Sequence, residues 1–237
     1  LRQEFSLTKK LGIIGGMSWV STQQYYRLIN RFVNEARGRQ HSAPLFIASV
    51  NFQDIVNAQS RGDWQGAGSL LAESATSLAS TGCGAFLIAS NTMHRVYQQV
   101  QDAVDIPGIN IFDITAKAVK KSNFKKIALL GTRYTMSDPF FRDAYQSRGI
   151  DIMTPEDHDA HAVNEIIFKE LIREIIKPDS KTAFQKVVER LKYRGAEAVI
   201  LGCTEIEWIL KPEDVSLPLF DTTELHARAA ADWLLEL

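Results

Sequence analysis

The sequence is short of the features that mark several large functional classes. Two cysteines, Cys83 and Cys203, stand far apart in 237 residues. Thiols so placed form neither a zinc pattern nor a redox pair, and no disulfide framework can define the fold. Neither sign of charge is in excess: Lys+Arg number 27 against Asp+Glu 28, for a net charge of -1. Without a basic block there is no field to hold nucleic acid or an anionic lipid surface. No apolar run approaches the roughly 18 residues needed to span a bilayer. The stretch Leu1 to Lys10 mixes charge and polarity with no apolar signal core. The expected location is the cytoplasm, and the expected partner is a small neutral or zwitterionic molecule rather than nucleic acid or membrane.

What is present is a regular alternation. Hydrophobic residues make up 45% of the chain, enough for one large core or two small ones. Apolar runs of strand length occur at Leu11 to Ile14, Leu45 to Val50, Ala85 to Ala89, Ile127 to Leu130 and Ala198 to Leu201. Between them, Gln23 to Ala36, Gln65 to Ser80, Val163 to Ile176 and Lys181 to Tyr193 carry apolar residues at helical spacing. Gly82 and Gly195 follow two of these segments as helix stops, and Pro178 is read as ending another. Short, nearly continuous apolar strands belong to parallel sheets covered on both faces.

The chain also repeats itself weakly. A strand ending in Gly15-Gly16 is followed by Gly84-Ala-Phe-Leu-Ile-Ala-Ser-Asn-Thr92, and a strand ending in Gly131-Thr132 by Ala196-Glu-Ala-Val-Ile-Leu-Gly-Cys-Thr204. Gly15 lies 75 positions before Ser90, and Gly131 lies 72 before Cys203. The reading is an α/β protein of two similar open, mostly parallel-sheet domains related by a pseudo-twofold axis, with the active site in the cleft between them. Residues 1–114 plus 223–237 form the first lobe and 115–222 the second. The terminal helix, Thr223 to Leu237, returns to pack on the first. Ligand-binding residues belong at the carboxyl ends of such strands, where Ser90 and Cys203 would converge.

The segment Ala198-Val-Ile-Leu-Gly-Cys-Thr-Glu205 runs an apolar strand into a small nucleophile. A cysteine just past a strand end, before a helix, is expected to favour its thiolate. The alternative is a buried structural cysteine. In the first half, Ser90, Asn91 and Thr92 occupy the equivalent place; their amides and side chains could hold a carboxylate, or simply cap a helix. Thr204 and Glu205 repeat that arrangement beside Cys203. Thr132 and Thr135, after the second glycine turn, could bind a carboxylate or cap a helix. Cys83 lies seven positions before Ser90, roughly 20 Å along a strand rising about 3.3 Å per residue, and is read as a core or helix-end residue. His94, His158, His161 and His226 show no ligand spacing, and His94 is read as a supporting residue.

Together, Gly12-Ile-Ile-Gly-Gly-Met-Ser-Trp19, the Ser-Thr and Tyr-Tyr that follow, Ser90-Asn-Thr-Met-His94 and Leu201-Gly-Cys-Thr-Glu205 resemble the aspartate/glutamate racemase family over nearly the whole chain. The resemblance implies two bases on opposite faces of a substrate Cα, commonly both cysteines. Here the second is Cys203 but the first is Ser90, a poorer base. It therefore implies asymmetric exchange with an L-amino acid preferred, L-aspartate or L-glutamate foremost. It further implies that Met17 lines the substrate, that Lys169 holds a side-chain carboxylate, and that Gln53 stands where some relatives place a cation. Gln53 is neutral and leaves room for neutral side chains. A homodimer is implied as well, and no segment announces pyridoxal phosphate, another cofactor or a metal. Two rivals follow from Ser90: a single-cysteine decarboxylase or isomerase of the same superfamily, and a catalytically impaired amino-acid-binding protein.

Overall fold

The computed structural model describes residues 9–236; the expectations for Leu1 to Thr8 and for Leu237 lie outside them. The chain divides into two compact units, one holding the described residues up to Asn110 and from His226 on, the other Ile111–Leu225. The sequence reading drew these lines at 114/115 and 222/223.

In the first unit the order is β1 (Leu11–Gly15), α1 (Trp19–Arg37), β2 (Leu45–Ser49), α2 (Phe52–Ser60), α3 (Trp64–Ser80) and β3 (Ala85–Ile88). A 3-10 turn (Thr92–Val96), α4 (Tyr97–Gln101) and β4 (Gly108–Ile109) follow. The second unit runs α5 (Ile111–Lys121), β5 (Lys126–Gly131), α6 (Arg133–Ser137), α7 (Pro139–Gln146), β6 (Asp151–Met153) and α8 (Asp157–Lys169). It continues with a 3-10 turn (Leu171–Arg173), α9 (Pro178–Tyr193), β7 (Ala198–Gly202), α10 (Ile206–Ile209), another 3-10 turn (Pro212–Asp214) and β8 (Leu219–Asp221). Helix α11 (Thr222–Leu235) then carries the chain into the first unit.

Each unit is built on a four-stranded parallel sheet, ordered β2-β1-β3-β4 in the first and β6-β5-β7-β8 in the second. The order reverses direction between β1 and β3, and again between β5 and β7. At such a switch point the helices after neighbouring strands leave on opposite faces, opening a crevice at the carboxyl ends. In the first unit the ends so exposed belong to Gly15-Gly16 and Ser90; in the second they belong to Gly131-Thr132 and Cys203.

Strands β1, β3 and β7 are buried at every residue, whereas the edge strand β2 is partly exposed. The continuous apolar runs are explained by cover on both faces. Leu11, Ile13 and Leu87 pack against Tyr25 and Ile29 of α1 and Ala227, Ala230 and Leu234 of α11. Ile14, Phe86 and Ile88 meet Leu71 and Ala75 of α3 on the other face. In the second unit Val199 and Leu201 pack on Val163, Phe184 and Val188, while Ile127, Leu129 and Ile200 pack on Phe112, Phe141 and Tyr145. Each fully buried side chain of this size contributes roughly 1.5–3 kcal/mol.

Several elements differ from the sequence expectation. Helix α1 starts at Trp19 rather than Gln23, because Ser18 caps it by accepting the Ser21 N–H, and its first turns bury the polar Ser21, Thr22 and Gln24. Polar residues on a buried face conceal a helical period. Helix α2 buries only Ile55 and Ala58, too few to register as a pattern. Helix α8 lies over Asp157–Lys169 instead of Val163 to Ile176; acidic residues stabilise its first turn. Beyond its end, Glu170 accepts hydrogen bonds from Ser180 (2.6 Å) and Lys177 (3.1 Å), drawing the chain off the helix axis. Pro178 does not stop a helix but begins α9, where its fixed φ suits the first turn and its missing N–H costs nothing. Gly82 and Gly195 follow α3 and α9 at φ of 79° and 98°.

Candidate active site

The carboxyl end of β1 is shaped by glycine. Gly16 has φ of 92°, and a Cβ there would fall on the Val50 carbonyl. Its N–H donates to Thr22 Oγ1 at 2.7 Å, closing the turn that presents Met17. Met17 is buried with Ile14, Ile88 and Met93, beside the end of β3. Gln53 lies in the first turn of α2, after β2; it is exposed, and its side chain donates to Asn57.

At the end of β3, Ser90 Oγ accepts the Met93 N–H at 3.4 Å, and His94 Nδ1 donates to the Ser90 carbonyl at 2.7 Å. Asn91 is buried and Thr92 opens the 3-10 turn. Thus Met17, Gln53, Ser90, Asn91 and Thr92 follow the carboxyl ends of three parallel neighbours, β1, β2 and β3.

The second unit brings its candidates together more tightly. Gly131 and Gly202 are register partners at the ends of β5 and β7. A Cβ on Gly131 would approach the Thr135 side chain to 2.9 Å and the Gly202 carbonyl to 3.0 Å. The two glycines therefore let Thr132, Thr135 and Cys203 share one rim. Thr132 caps α6 by accepting the Thr135 N–H at 3.3 Å. Arg133 N–H donates to Asn164 Oδ1 of α8 at 2.8 Å. Lys169 lies five residues further, about 7–8 Å along the helix axis, exposed and ion-paired with Glu165.

Cys203 is buried and its thiol donates to Glu205 Oε2 at 3.0 Å. The Thr204 hydroxyl donates to the same oxygen at 2.6 Å. This geometry corrects the expectation that the strand end favours the thiolate. Burial pushes the Cys203 thiol well above its ordinary value, and the neighbouring Glu205 charge and hydrogen bond push it further. The Glu205 backbone N–H acts in the opposite sense and is outweighed. Helix α10, four residues long, supplies too small a dipole to reverse the balance. The thiol and carboxylate form a dyad, with the proton held on sulfur. A Cys-x-Glu spacing after a strand is the sequence signal for it.

A second acidic group adjoins. Glu207, on α10, shares a hydrogen bond with Asp221 at the end of β8; burial and the Asp221 charge push its carboxyl up to about 9, against the pull of Lys211. No local pattern marks this pair, whose members are 14 positions apart. Nor does one announce the surroundings of His94, which stacks on Tyr97 and meets His226 edge-on. Among the described residues no three His, Cys, Asp or Glu side chains gather as a metal site, and no helix is long and apolar enough to cross a membrane.

Comparison with known proteins agrees with this architecture. A crystal structure of a candidate Asp/Glu racemase from Yersinia pestis is 44% identical, with a TM-score of 0.90 over 96% of this chain and 100% of that one. An aspartate racemase homologue from Pyrococcus horikoshii is 33% identical, with a TM-score of 0.83 over 96% and 100%. The broad specificity amino-acid racemase RacX of Bacillus subtilis is 25% identical over 167 residues, 69% of this chain and 70% of the relative. The profile of the Asp/Glu/Hydantoin racemases matches residues 14–230. The chain belongs to the Asp/Glu/Hydantoin racemase family.

Proposed function

We propose that this protein is an amino-acid racemase or epimerase working without pyridoxal phosphate or metal, with Cys203 and Ser90 serving opposite faces of the substrate Cα. The observation that carries the reading is the buried Cys203–Glu205 dyad at a switch-point strand end. Proton transfer from sulfur to Glu205 creates the thiolate and a neutral carboxylic acid, which then donates a hydrogen bond to that thiolate instead of repelling it. The thiolate takes the Cα proton: the C–H bond breaks, an S–H bond forms, and the electron pair moves toward the substrate carboxylate. Backbone amides and the Asn91, Thr92, Thr132 and Thr135 side chains at the strand ends are suited to that charge. The Ser90 hydroxyl returns a proton from the other face, and the Met93 N–H steadies the oxygen left behind. Thr204 orients Glu205, so Glu205 acts here through Cys203 rather than as a direct substrate ligand.

Lys169, near the rim of the second unit, and the Pyrococcus aspartate racemase homologue support L-aspartate or L-glutamate as substrate. The neutral Gln53 and the broad specificity of the Bacillus relative support a wider range. The protein is read as a cytoplasmic homodimer. A panel of L- and D-amino acids followed by circular dichroism tests the assignment: dicarboxylic substrates are expected to lose optical activity, and Cys203→Ala to stop this. Undiminished turnover in Cys203→Ala would reject the base. Release of carbon dioxide from substituted malonates, with no change in amino-acid rotation, would favour the single-cysteine decarboxylase instead.

A further inference from the structure

Four aromatic rings of the first unit, three of them buried and Tyr97 partly so, form a chain beneath the ends of β3 and β4. Tyr97 O–H donates to the Gly108 carbonyl at 2.7 Å, and its ring stacks on His94 at 5.7 Å between centroids. His94 Nδ1 faces the Ser90 carbonyl at 2.7 Å. His226, from α11, meets His94 edge-on at 5.6 Å, and its Nε2 faces the Ile109 carbonyl at 2.7 Å. The Tyr25 hydroxyl of α1 lies 2.9 Å from His226 Nδ1.

A carbonyl can only accept, so the two tautomers are set by their partners: His94 carries its proton on Nδ1 and His226 on Nε2. Neutral His226 then has a bare Nδ1, which accepts the Tyr25 hydroxyl. Tyr25 and His226 are wholly buried and His94 nearly so, so the rings themselves present almost no surface to water. Burial raises the cost of any unmet partner. Three strand-end carbonyls, at Ser90, Gly108 and Ile109, are each held by one ring, and the rings lock one another.

We infer that Tyr25, His226 and His94 form a positioning brace that fixes Ser90 for proton return, with the terminal helix holding the end of β3 through two histidines. The inference rests on the role proposed for Ser90. None of the three touches substrate in this account; each acts through the backbone that carries the serine hydroxyl.

The test separates exchange at one face from interconversion, which needs both. In heavy water, deuterium wash-in to an L-substrate requires only Cys203, whereas conversion of L to D also requires Ser90. Tyr25→Phe and His226→Phe are expected to slow interconversion about tenfold or more, the scale of a small misplacement of a reacting group. L-face wash-in should stay within about twofold of the parent, as expected if the Cys203 side is undisturbed. His226→Gln, which keeps a donor and an acceptor, should recover most of the loss. Parallel falls in both rates, or no fall in either, would overturn the brace. Ser90→Ala is run beside them: if it leaves interconversion intact, the two-face reading fails and the positioning role falls with it, whatever the tautomers. With Ser90→Ala impaired, nitrogen NMR of the parent protein gives the second readout: protonated Nδ1 on His94 and protonated Nε2 on His226 uphold the brace, and any other tautomer pair refutes it, whether or not the variants fold.

Discussion

The two strand ends, β3 in the first unit and β7 in the second, occupy equivalent places in equivalent sheets yet hold opposite kinds of chemistry. At β7 the side chain is a thiol that donates to a buried carboxylate, Glu205, an acceptor placed to receive its proton. At β3 it is a hydroxyl that accepts a backbone N–H, that of Met93, at 3.4 Å, while the histidine beside it grips the backbone carbonyl. The first arrangement suits removal of a proton; the second suits holding and returning one. In the proposed mechanism a duplicated scaffold fixes where the reacting groups stand, and the two or three residues after each strand decide what they do.

The units also differ in how pH should strain them. His226 is pushed down from 6.5 to about 4 by burial, against its bond to Ile109. Its folded value lies below its unfolded value, so stability is complete above about pH 6.5 and is lost as pH falls to about 4. A shift of this size amounts to about 3 kcal/mol. Glu207 lies on the other side: its carboxyl is raised to about 9, so the stability tied to its proton is lost as pH rises from 4.5 toward that value. Hydrogen-exchange protection, corrected for intrinsic rates, should weaken first in the first unit on acidification and in the second on alkalinisation. In His226→Gln the acid sensitivity should shrink. Uniform loss across both units would break the contrast.

Next in size is Glu205→Gln, expected to lower kcat about 100-fold, the scale of one proton-transfer partner. Removing the carboxylate charge lowers the Cys203 thiol, so the limb of the rate profile that depends on thiol deprotonation should move to lower pH. An unmoved limb would show that Glu205 does not govern the sulfur. Ser90→Cys should make the two strand ends alike and raise wash-in to the D-substrate about tenfold, since a thiolate is the better base near neutral pH. An unchanged D-face rate would remove Ser90 from the second face. The smallest effect belongs to Lys169→Ala. At such exposure an ion pair is worth at most about 1 kcal/mol, so KM for aspartate should rise up to about fivefold, with neutral amino acids unaffected. A rise shared by all substrates would count against side-chain recognition.

The strands and the repeat were legible because parallel strands covered on both faces must be apolar throughout, so Leu11 to Ile14 and Ala198 to Leu201 announce themselves. Ser90 and Cys203 were legible for the same reason: each stands where an apolar run meets small polar residues. The true starts of α1 and α8 were not: Ser21, Thr22 and Gln24 bury polar atoms bonded to near neighbours such as Gly16, Ser18 and Arg27, and α8 opens on the acidic Asp157 and Asp159, so neither start shows an apolar period. The state of the Cys203 proton was also hidden. Local spacing placed the thiol at a helix entrance, but burial and a carboxylate two residues on outweigh a one-turn helix. His226 read as one histidine in an alanine-rich helix; its partners are Tyr25, 201 positions earlier, and Ile109, 117 positions earlier.

Enantiomers have equal free energy, so kcat/KM for interconversion must match in the two directions and cannot reveal which strand end is the stronger base. Deuterium wash-in at early times can, because a proton removed and replaced on one face leaves the configuration unchanged. L-aspartate or L-glutamate should acquire deuterium at Cα faster than its D-enantiomer, and Cys203→Ala should abolish the L-face signal. Equal wash-in for the two enantiomers, or an L-face signal that survives Cys203→Ala, would contradict the proposed mechanism.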